Sequence, residues 1–320
     1  MIWSELSSLV HNNTSFLISS HMSLDGDSIG SELAMLWYLR SLSKKVVVYN
    51  FESVPQKLRF LLDSDLIIKE KPSGRFDVFF VLDCSNPKRL GWEGHETFAP
   101  IIVNIDHHRD NVNFGHLNLV RDNASATGQI IYDYFSYLHL DFPASVAEAL
   151  YTAIMTDTGG FRFSNTNGTI LKICADLSDR GASCSKIYNN VYTSFSPSGL
   201  MLQARIWSTL TFYRGGTICS MEMPYSLIEE VGATYGDSEG MADLTIIAAG
   251  VEVGMLIKYN QTQTHFSLRS TGRIDVGKIA KSIEEGGGHS SAAGCTMSLP
   301  ISEAKPKMLE ILYRALDLNA

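Results

Sequence analysis

An α/β domain built on a parallel sheet with flanking helices, followed by a smaller α+β domain, is the fold class that this sequence predicts. Three observations carry the prediction. Short β-branched and aromatic runs alternate with helix-spaced apolar segments through the first half. Near residues 185–210 this gives way to a long mixed stretch, beyond which strand-like runs return at hairpin spacing. Finally, 320 residues with 45% hydrophobic content can bury one large core or two moderate ones, and the change of pattern favours two.

In chain order, "SFLIS" (15–19), "KVVVYN" (45–50), "DVFFVLD" (77–83) and "PIIVNID" (100–106) read as fully buried strands. Between and after them, Ile29, Leu33, Leu36, Trp37 and Arg40 fall at helix spacing. So do Ile130, Ile131, Tyr134 and Leu138, and then Val146, Leu150, Ala153 and Ile154 in "VAEALYTAIMTD". Repeated strand–helix–strand units imply a parallel sheet with helices on both faces, and ligands on such sheets sit beyond the carboxyl ends of the strands. The stretch "SKIYNNVYTSFSPSGLMLQARIWSTL", with Pro197 and Gly199 inside it, reads as a connection. The expected domains are therefore 1–185 and 211–320, with a linker at 186–210. In the second, "TICSMEM" (217–223), "ADLTIIAAG" (242–250), "VGMLIKY" (253–259) and "THFSLRS" (264–270) read as strands. "DVGKIAKSIE" (275–284) and "SEAKPKMLEILYRAL" (302–316) read as helices.

The start "MIWSELSSLV" lacks a basic region and a long apolar run, and no stretch approaches the roughly 18 apolar residues of a membrane helix. A cytoplasmic location without membrane contact is the expectation. Five cysteines (Cys84, Cys174, Cys184, Cys219, Cys295) are odd in number, scattered and never in C-x-x-C, so they are expected as reduced thiols rather than disulfides or zinc ligands. A net charge of −8 argues against long duplex nucleic acid as a partner, because such binding rests on many Lys and Arg contacts to phosphate. Short anionic substrates remain open if metal ions supply positive charge locally. A homodimer is compatible with the sequence and not required by it.

Ligand chemistry gathers at the ends of the predicted strands: His21, Asp25 and Asp27 in "HMSLDGDSIG", Asp83 in "VLDCS", Asp106, His107 and His108 in "NIDHHRDN". Asp157 in "MTDTGGF" ends a predicted helix that can face the same crevice. Any one Asp after a strand is more simply a turn or cap residue, and Asp27 or Ser28 could cap the helix near Ile29. The conjunction of four such places outweighs that alternative. Several carboxylates in one crevice repel unless they are protonated or neutralised by cations, and a set of carboxylates and imidazoles without thiolates suits Mn or Mg. One carboxylate bridging two ions about 3.5 to 4 Å apart would give an arrangement that activates water against phosphoryl groups. Asp63, Asp65, Asp77, His95, His116, His139 and His265 sit in contexts that call for no such role. In the second domain "EEGGGHSSAAG" leaves backbone N–H groups open to a phosphate, more so if a helix starts near Ser290, and Arg269 could add a bidentate contact.

Taken in order, "HMSLDGDSIGS", "VLDCS", "IDHHRDN", "TDTGGFRFSNT" and "GGGHSSAAG" resemble the DHH phosphoesterases that carry a C-terminal DHHA1 domain, across nearly the whole chain. Size and plan are similar to the nanoRNase and pAp phosphatase branch. That resemblance implies an Mn-dependent phosphoesterase, with Mg or Co as substitutes, that degrades very short RNA oligonucleotides and dephosphorylates 3'-phosphoadenosine 5'-phosphate. A stand-alone cyclic-di-AMP or linear dinucleotide phosphodiesterase shares every motif and is the alternative. Carried over by position, His21, Asp25 and Asp83 would hold one ion, and Asp27, Asp83, His107 and Asp157 the second, with Asp83 bridging. His108 would face the substrate phosphate and Asp106 would orient the histidines. Arg269, Gly287, Gly288 and His289 would hold substrate. Two departures stand out, Leu24 where relatives carry proline before the first Asp and Gln129 in "ASATGQ" where they often carry Glu; neither removes a ligand.

Overall fold

Five consecutive apolar residues, Val78–Leu82, form a strand buried on both faces. Val78, Phe80 and Leu82 enter one apolar cluster and Phe79 and Val81 another, as the two-residue period of a central strand requires. The computed structural model describes residues 2–284, 286–288 and 290–318. Its chain divides into two units, Met1–Ser194 and Phe195–Ala320. The first runs α1 (Ile2–Asn12), β1 (Ser15–Ser19), α2 (Gly26–Ser41), β2 (Lys45–Tyr49), β3 (Ile67–Ile68), β4 (Val78–Leu82), β5 (Ile101–Asp106), β6 (Leu117–Val120), α3 (Thr127–Tyr137), α4 (Ala144–Asp157), α5 (Gly168–Asp179) and α6 (Cys184–Tyr188), which continues into a π-helical turn at Asn189–Thr193. The six strands form one sheet in the order β3-β2-β1-β4-β5-β6, parallel throughout.

The α-helices collect on one face, not on both as expected. α2 is buried nearly all round, between the sheet and α4, with Asp27, Ser28, Ser31 and Glu32 among its buried residues. Gly30 makes that approach feasible, since a Cβ there would fall 2.3 Å from the Ala149 carbonyl oxygen. The other face is covered by Phe76, Leu90, Phe98 and Ala99 from the connections around β4 and β5. A right-handed crossover from β4 to β5 must run on the side opposite α2. Its sequence, "CSNPKRLGWEGHETFAP", is too rich in glycine and proline for more than short 3-10 turns. Because β1 lies between β2 and β4, the order of connection reverses there, and the carboxyl ends of β1 and β4 open a crevice at that reversal.

The second unit contains α7 (Pro197–Trp207), β7 (Thr211–Tyr213), β8 (Ile218–Pro224), α8 (Ser226–Val231), α9 (Met241–Leu244), β9 (Val253–Tyr259), β10 (Thr264–Ser270), α10 (Val276–Lys281), β11 (Gly287–Gly288), β12 (Ala292–Met297) and α11 (Ile301–Leu318). Its sheet has the order β11-β12-β10-β9-β8-β7, antiparallel except between β8 and β9. α10 and α11 pack on one face, and α7, α8 and α9 on the other. Of the stretch 186–210, residues up to Ser194 belong to the first unit and those from Phe195 to the second. The segment "ADLTIIAAG" is not a strand: both edges of β9 are already taken by β8 and β10, so its residues form α9 and a turn closed by Thr245 Oγ1 donating to the Ala242 carbonyl (2.6 Å). Nor does a helix follow Ser290, because Ala292–Met297 pairs with both β10 and β11. Among the described residues no helix is long and apolar enough to cross a membrane.

Candidate metal centre

At the end of β1 the chain turns through His21 into α2, whose N-cap is Asp25 rather than Asp27 or Ser28. The Asp25 Oδ1 accepts from the Ser28 N–H (3.0 Å), and a Ser28 hydroxyl returned to the Asp25 N–H completes a capping box. The remaining oxygen, Oδ2, faces His21 Nε2 at 3.8 Å. Capping and ligand geometry thus coexist on one carboxylate. Asp27 lies in the first turn of α2, fully buried, where the N-terminus of α3 meets it: the Thr127 and Gly128 N–H groups donate to its two oxygens (2.6 and 2.8 Å) and the Ser31 hydroxyl adds a third bond (3.2 Å). A helix N-terminus favours a carboxylate on electrostatic grounds as well.

Asp83 follows β4 with φ +53°, a left-handed conformation that a non-glycine residue holds only where its surroundings enforce it. Its two oxygens face two ways. Oδ2 lies 3.2 Å from His21 Nε2, while Oδ1 lies 3.5 Å from His107 Nε2 and 3.6 Å from His108 Nδ1 and accepts from the Thr127 hydroxyl (3.1 Å). His107 Nε2 also lies 2.9 Å from Asp157 Oδ2, at the end of α4, and 3.7 Å from Asp27 Oδ2. Donor atoms close enough to share one ion therefore fall into groups of His21, Asp25 and Asp83, of Asp27, His107 and Asp157, and of Asp83, His107 and His108. Every residue expected to ligate metal is in this crevice.

Asp106 is fully buried at the end of β5. It accepts from the His107 N–H (2.9 Å), bonds His108 Nδ1 (2.7 Å) and receives the Asn111 amide, which also reaches the Asn104 Oδ1. His108 is thereby oriented through Nδ1. The departures noted in the sequence touch no ligand: Leu24 is core, and Gln129 Oε1 accepts from the Ser125 N–H (2.8 Å).

Charge in the crevice is unbalanced. Burial raises the Asp27 carboxyl well above its ordinary value, reinforced by Asp83 and Asp157; burial likewise raises Asp157, to about 6. Burial works to lower His107, yet the bond to Asp157 and the charges of Asp83, Asp157 and Asp27 outweigh it and raise the ring to about 11. His21 is lifted to about 9 against the same opposition, chiefly by Asp83. The surrounding carboxylates thus demand cations, and without metal the imidazoles become them. Hard oxygen donors with imidazole and no thiolate fit divalent ions of the Mg and Mn kind.

Residues the sequence reading passed over also build the site: Thr127, Asn111 and the pair Glu32–Asn50. Glu32 is fully buried; its Oε2 accepts from the Asn50 amide (2.8 Å), and Asn50 Oδ1 accepts from the Ser20 N–H (2.9 Å) beside His21. Thr127, as part of "ASATGQ", and Asn111, as the last residue of "IDHHRDN", lie within motifs the sequence displays; Glu32 and Asn50 do not. In the second unit Arg269 on β10 is ion-paired with Asp243 and stands opposite Ala292, while Gly288 stands opposite Ala293 on the far side of β12. Gly287 and Gly288 form β11, paired antiparallel with β12; His289 lies outside the described residues.

A parallel sheet with a carboxylate–imidazole crevice at its reversal, joined to a mixed-sheet unit, defines a metal-dependent phosphoesterase, and the chain belongs to the DHH family with a DHHA1 domain. The DHH family N-terminal domain matches residues 15–154 and the DHHA1 domain residues 221–317. The chain is 32% identical over 304 residues to the bifunctional oligoribonuclease and PAP phosphatase NrnA of Thermus thermophilus, covering 93% of this chain and 89% of that one. It is 24% identical to the protein of the same name from Bacillus subtilis, covering 88% of each. Among solved structures, an exopolyphosphatase-related protein from Bacteroides fragilis superposes with a TM-score of 0.90 at 25% identity, over 99% of this chain and 95% of that one.

Proposed function

We propose that this protein hydrolyses short RNA oligonucleotides and 3'-phosphoadenosine 5'-phosphate in a reaction that depends on Mn. The observation that carries the reading is Asp83, whose two oxygens serve two separate donor groups in one buried crevice. The substrates follow those in the names of the relatives that share nearly the whole chain. We assign His21, Asp25 and Asp83 to one ion and Asp27, Asp83, His107 and Asp157 to the other. Bound there, divalent ions would supply Lewis acidity toward phosphoryl oxygens and ease deprotonation of water.

The chain's own groups do the rest. Asp27 and Asp83 are held by the start of α3, so the ligand oxygens need little reorganisation. Asp106 occupies His108 Nδ1, so a proton that His108 exchanges with a leaving oxygen moves through Nε2. Arg269, Gly287, Gly288 and His289 are assigned to hold substrate from the DHHA1 domain.

The test is a panel of RNA dinucleotide to pentanucleotide, 3'-phosphoadenosine 5'-phosphate and cyclic di-AMP, with Mn and with chelator. Mn-dependent turnover of the first two classes, faster than of the cyclic dinucleotide, is expected. A clear preference for cyclic di-AMP would instead establish a cyclic dinucleotide phosphodiesterase.

A further inference from the structure

The segment after Asp157, "TGGFRFSN", has no part in the chemistry so far. Gly159, Gly160 and Phe161 lie in succession in the left-handed region, with φ of 58°, 68° and 67°. Two glycines adopt this freely; a phenylalanine does so rarely, and only where the surroundings over-determine it. Here they do. The Asn165 amide donates to the carbonyls of Asp157 (3.0 Å) and Ser125 (3.2 Å), and the Ser125 hydroxyl donates to the Asn165 carbonyl (2.6 Å). The Phe161 ring packs edge-on against Tyr151, and Tyr192, bonded to the Met155 carbonyl (3.2 Å), lies against Gly160.

This braced turn presents two side chains. Phe163 is 50% exposed, its ring resting on Gly159. The Arg162 Nε donates to the Gly159 carbonyl (2.7 Å), and its guanidinium sits 5.8 Å from the Phe163 ring centroid. Among the described residues no carboxylate pairs with Arg162. The turn follows directly on Asp157, a member of the His107 donor group, and Tyr192, which lies against Gly160, is tied to the same helix through the Met155 carbonyl.

We propose that Phe163 is a stacking platform for a nucleobase of the substrate and that Arg162 contacts its phosphate. The turn then selects nucleotide esters over other phosphoesters. An exposed ring with an adjacent guanidinium, bonded through Nε to the Gly159 carbonyl and paired with no carboxylate among the described residues, matches what single-stranded nucleotides require: a flat apolar face tolerant of any base, and a planar cation for the backbone. This inference rests on the nucleotide-hydrolase reading above and deepens it.

The experiment compares kcat/KM for the dinucleotide pApA with that for its analogue lacking both bases, in the wild type, Phe163→Ala, Phe163→Trp and Arg162→Gln. Because the readout is a ratio within each protein, loss of folded enzyme cancels. The wild-type ratio should fall about tenfold in Phe163→Ala, mainly through KM, and recover in Phe163→Trp. Arg162→Gln should lower both values together through KM. An unchanged ratio in Phe163→Ala, with wild type active on pApA, would overturn the stacking role alone. A wild type inactive on every nucleotide would overturn the underlying reading.

Discussion

Asp83 belongs to two of the three donor groups, and its replacement tests ligation and charge balance together. Asp83 is 1% exposed; burial works to raise its carboxyl, yet the bond to His21 and the charges of His21, His107 and His108 outweigh it and hold the group well below its ordinary value, so Asp83→Ala removes attraction to the imidazoles along with ligation. Turnover should fall at least about a thousandfold, as expected for loss of metal-assisted charge stabilisation, and the unfolding temperature of the ion-free protein should fall too, because buried imidazoles and the Thr127 hydroxyl lose their partner. Metal analysis decides: a variant that keeps two tight ions and near-normal rate has no bridging Asp83. Glu32 makes a second case. Burial holds its carboxyl up at about 8 against the lowering effect of the Asn50 hydrogen bond. A carboxyl raised above its unfolded value of 4.5 keeps its proton in the folded chain where the unfolded chain has lost it. Stability therefore declines as pH rises from 4.5 to about 8. Glu32→Gln removes that titration and keeps an acceptor for Asn50. In ion-free protein, the melting temperature of Glu32→Gln relative to wild type should climb steadily from pH 5 to 8, and a constant difference would contradict a neutral buried Glu32.

At the scale of elements, α3 links the two halves of the candidate centre. Its first residue, Thr127, donates its N–H to Asp27 and its hydroxyl to Asp83, carboxylates assigned to different ions. Thr127→Val keeps shape and the N–H but loses the hydroxyl. Affinity for Mn, measured by calorimetry, should drop about 10- to 100-fold, with Thr127→Ser close to wild type; equal affinities would reduce Thr127 to a packing residue. No periodicity marks such a role: the motif "ASATGQ" draws the eye to the segment, but hydrogen bonds across 44 and 100 positions of sequence do not show which of its residues reaches the carboxylates. The ligands themselves were legible because a parallel sheet forces strand ends together, so position along the chain stood in for position in space. β1, β4 and β5 were legible from composition alone for the same reason, being buried on both faces. "ADLTIIAAG" misled because β-branched content reports fitness for a pleated surface, and the pairing edges beside β9 were already filled. The helix imagined after Ser290 failed likewise: small residues there serve a close strand pair, with Gly287 opposite Gly294.

At the scale of the whole molecule, charge and architecture constrain substrate length together. The chain carries 26 basic against 34 acidic residues, and several arginines outside the assigned substrate contacts are paired with carboxylates, among them Arg121, Arg180, Arg205, Arg214, Arg273 and Arg314. Long single strands need a continuous basic groove with interleaved aromatic rings, and their affinity comes from many phosphates neutralised at once. What the first unit offers instead is a crevice lined by carboxylates and imidazoles, to which bound ions would add positive charge, with Arg162 and Phe163 in the turn that follows Asp157. Each added nucleotide beyond the first few therefore adds repulsion from an acidic surface without adding contacts. Side by side, kcat/KM should be highest for RNA of two to about five nucleotides and fall steeply toward a 24-nucleotide strand, and rates on the short substrates should depend only weakly on salt. Equal rates on the long strand, or a steep salt dependence on the short ones, would point to an extended basic track and overturn the argument from charge.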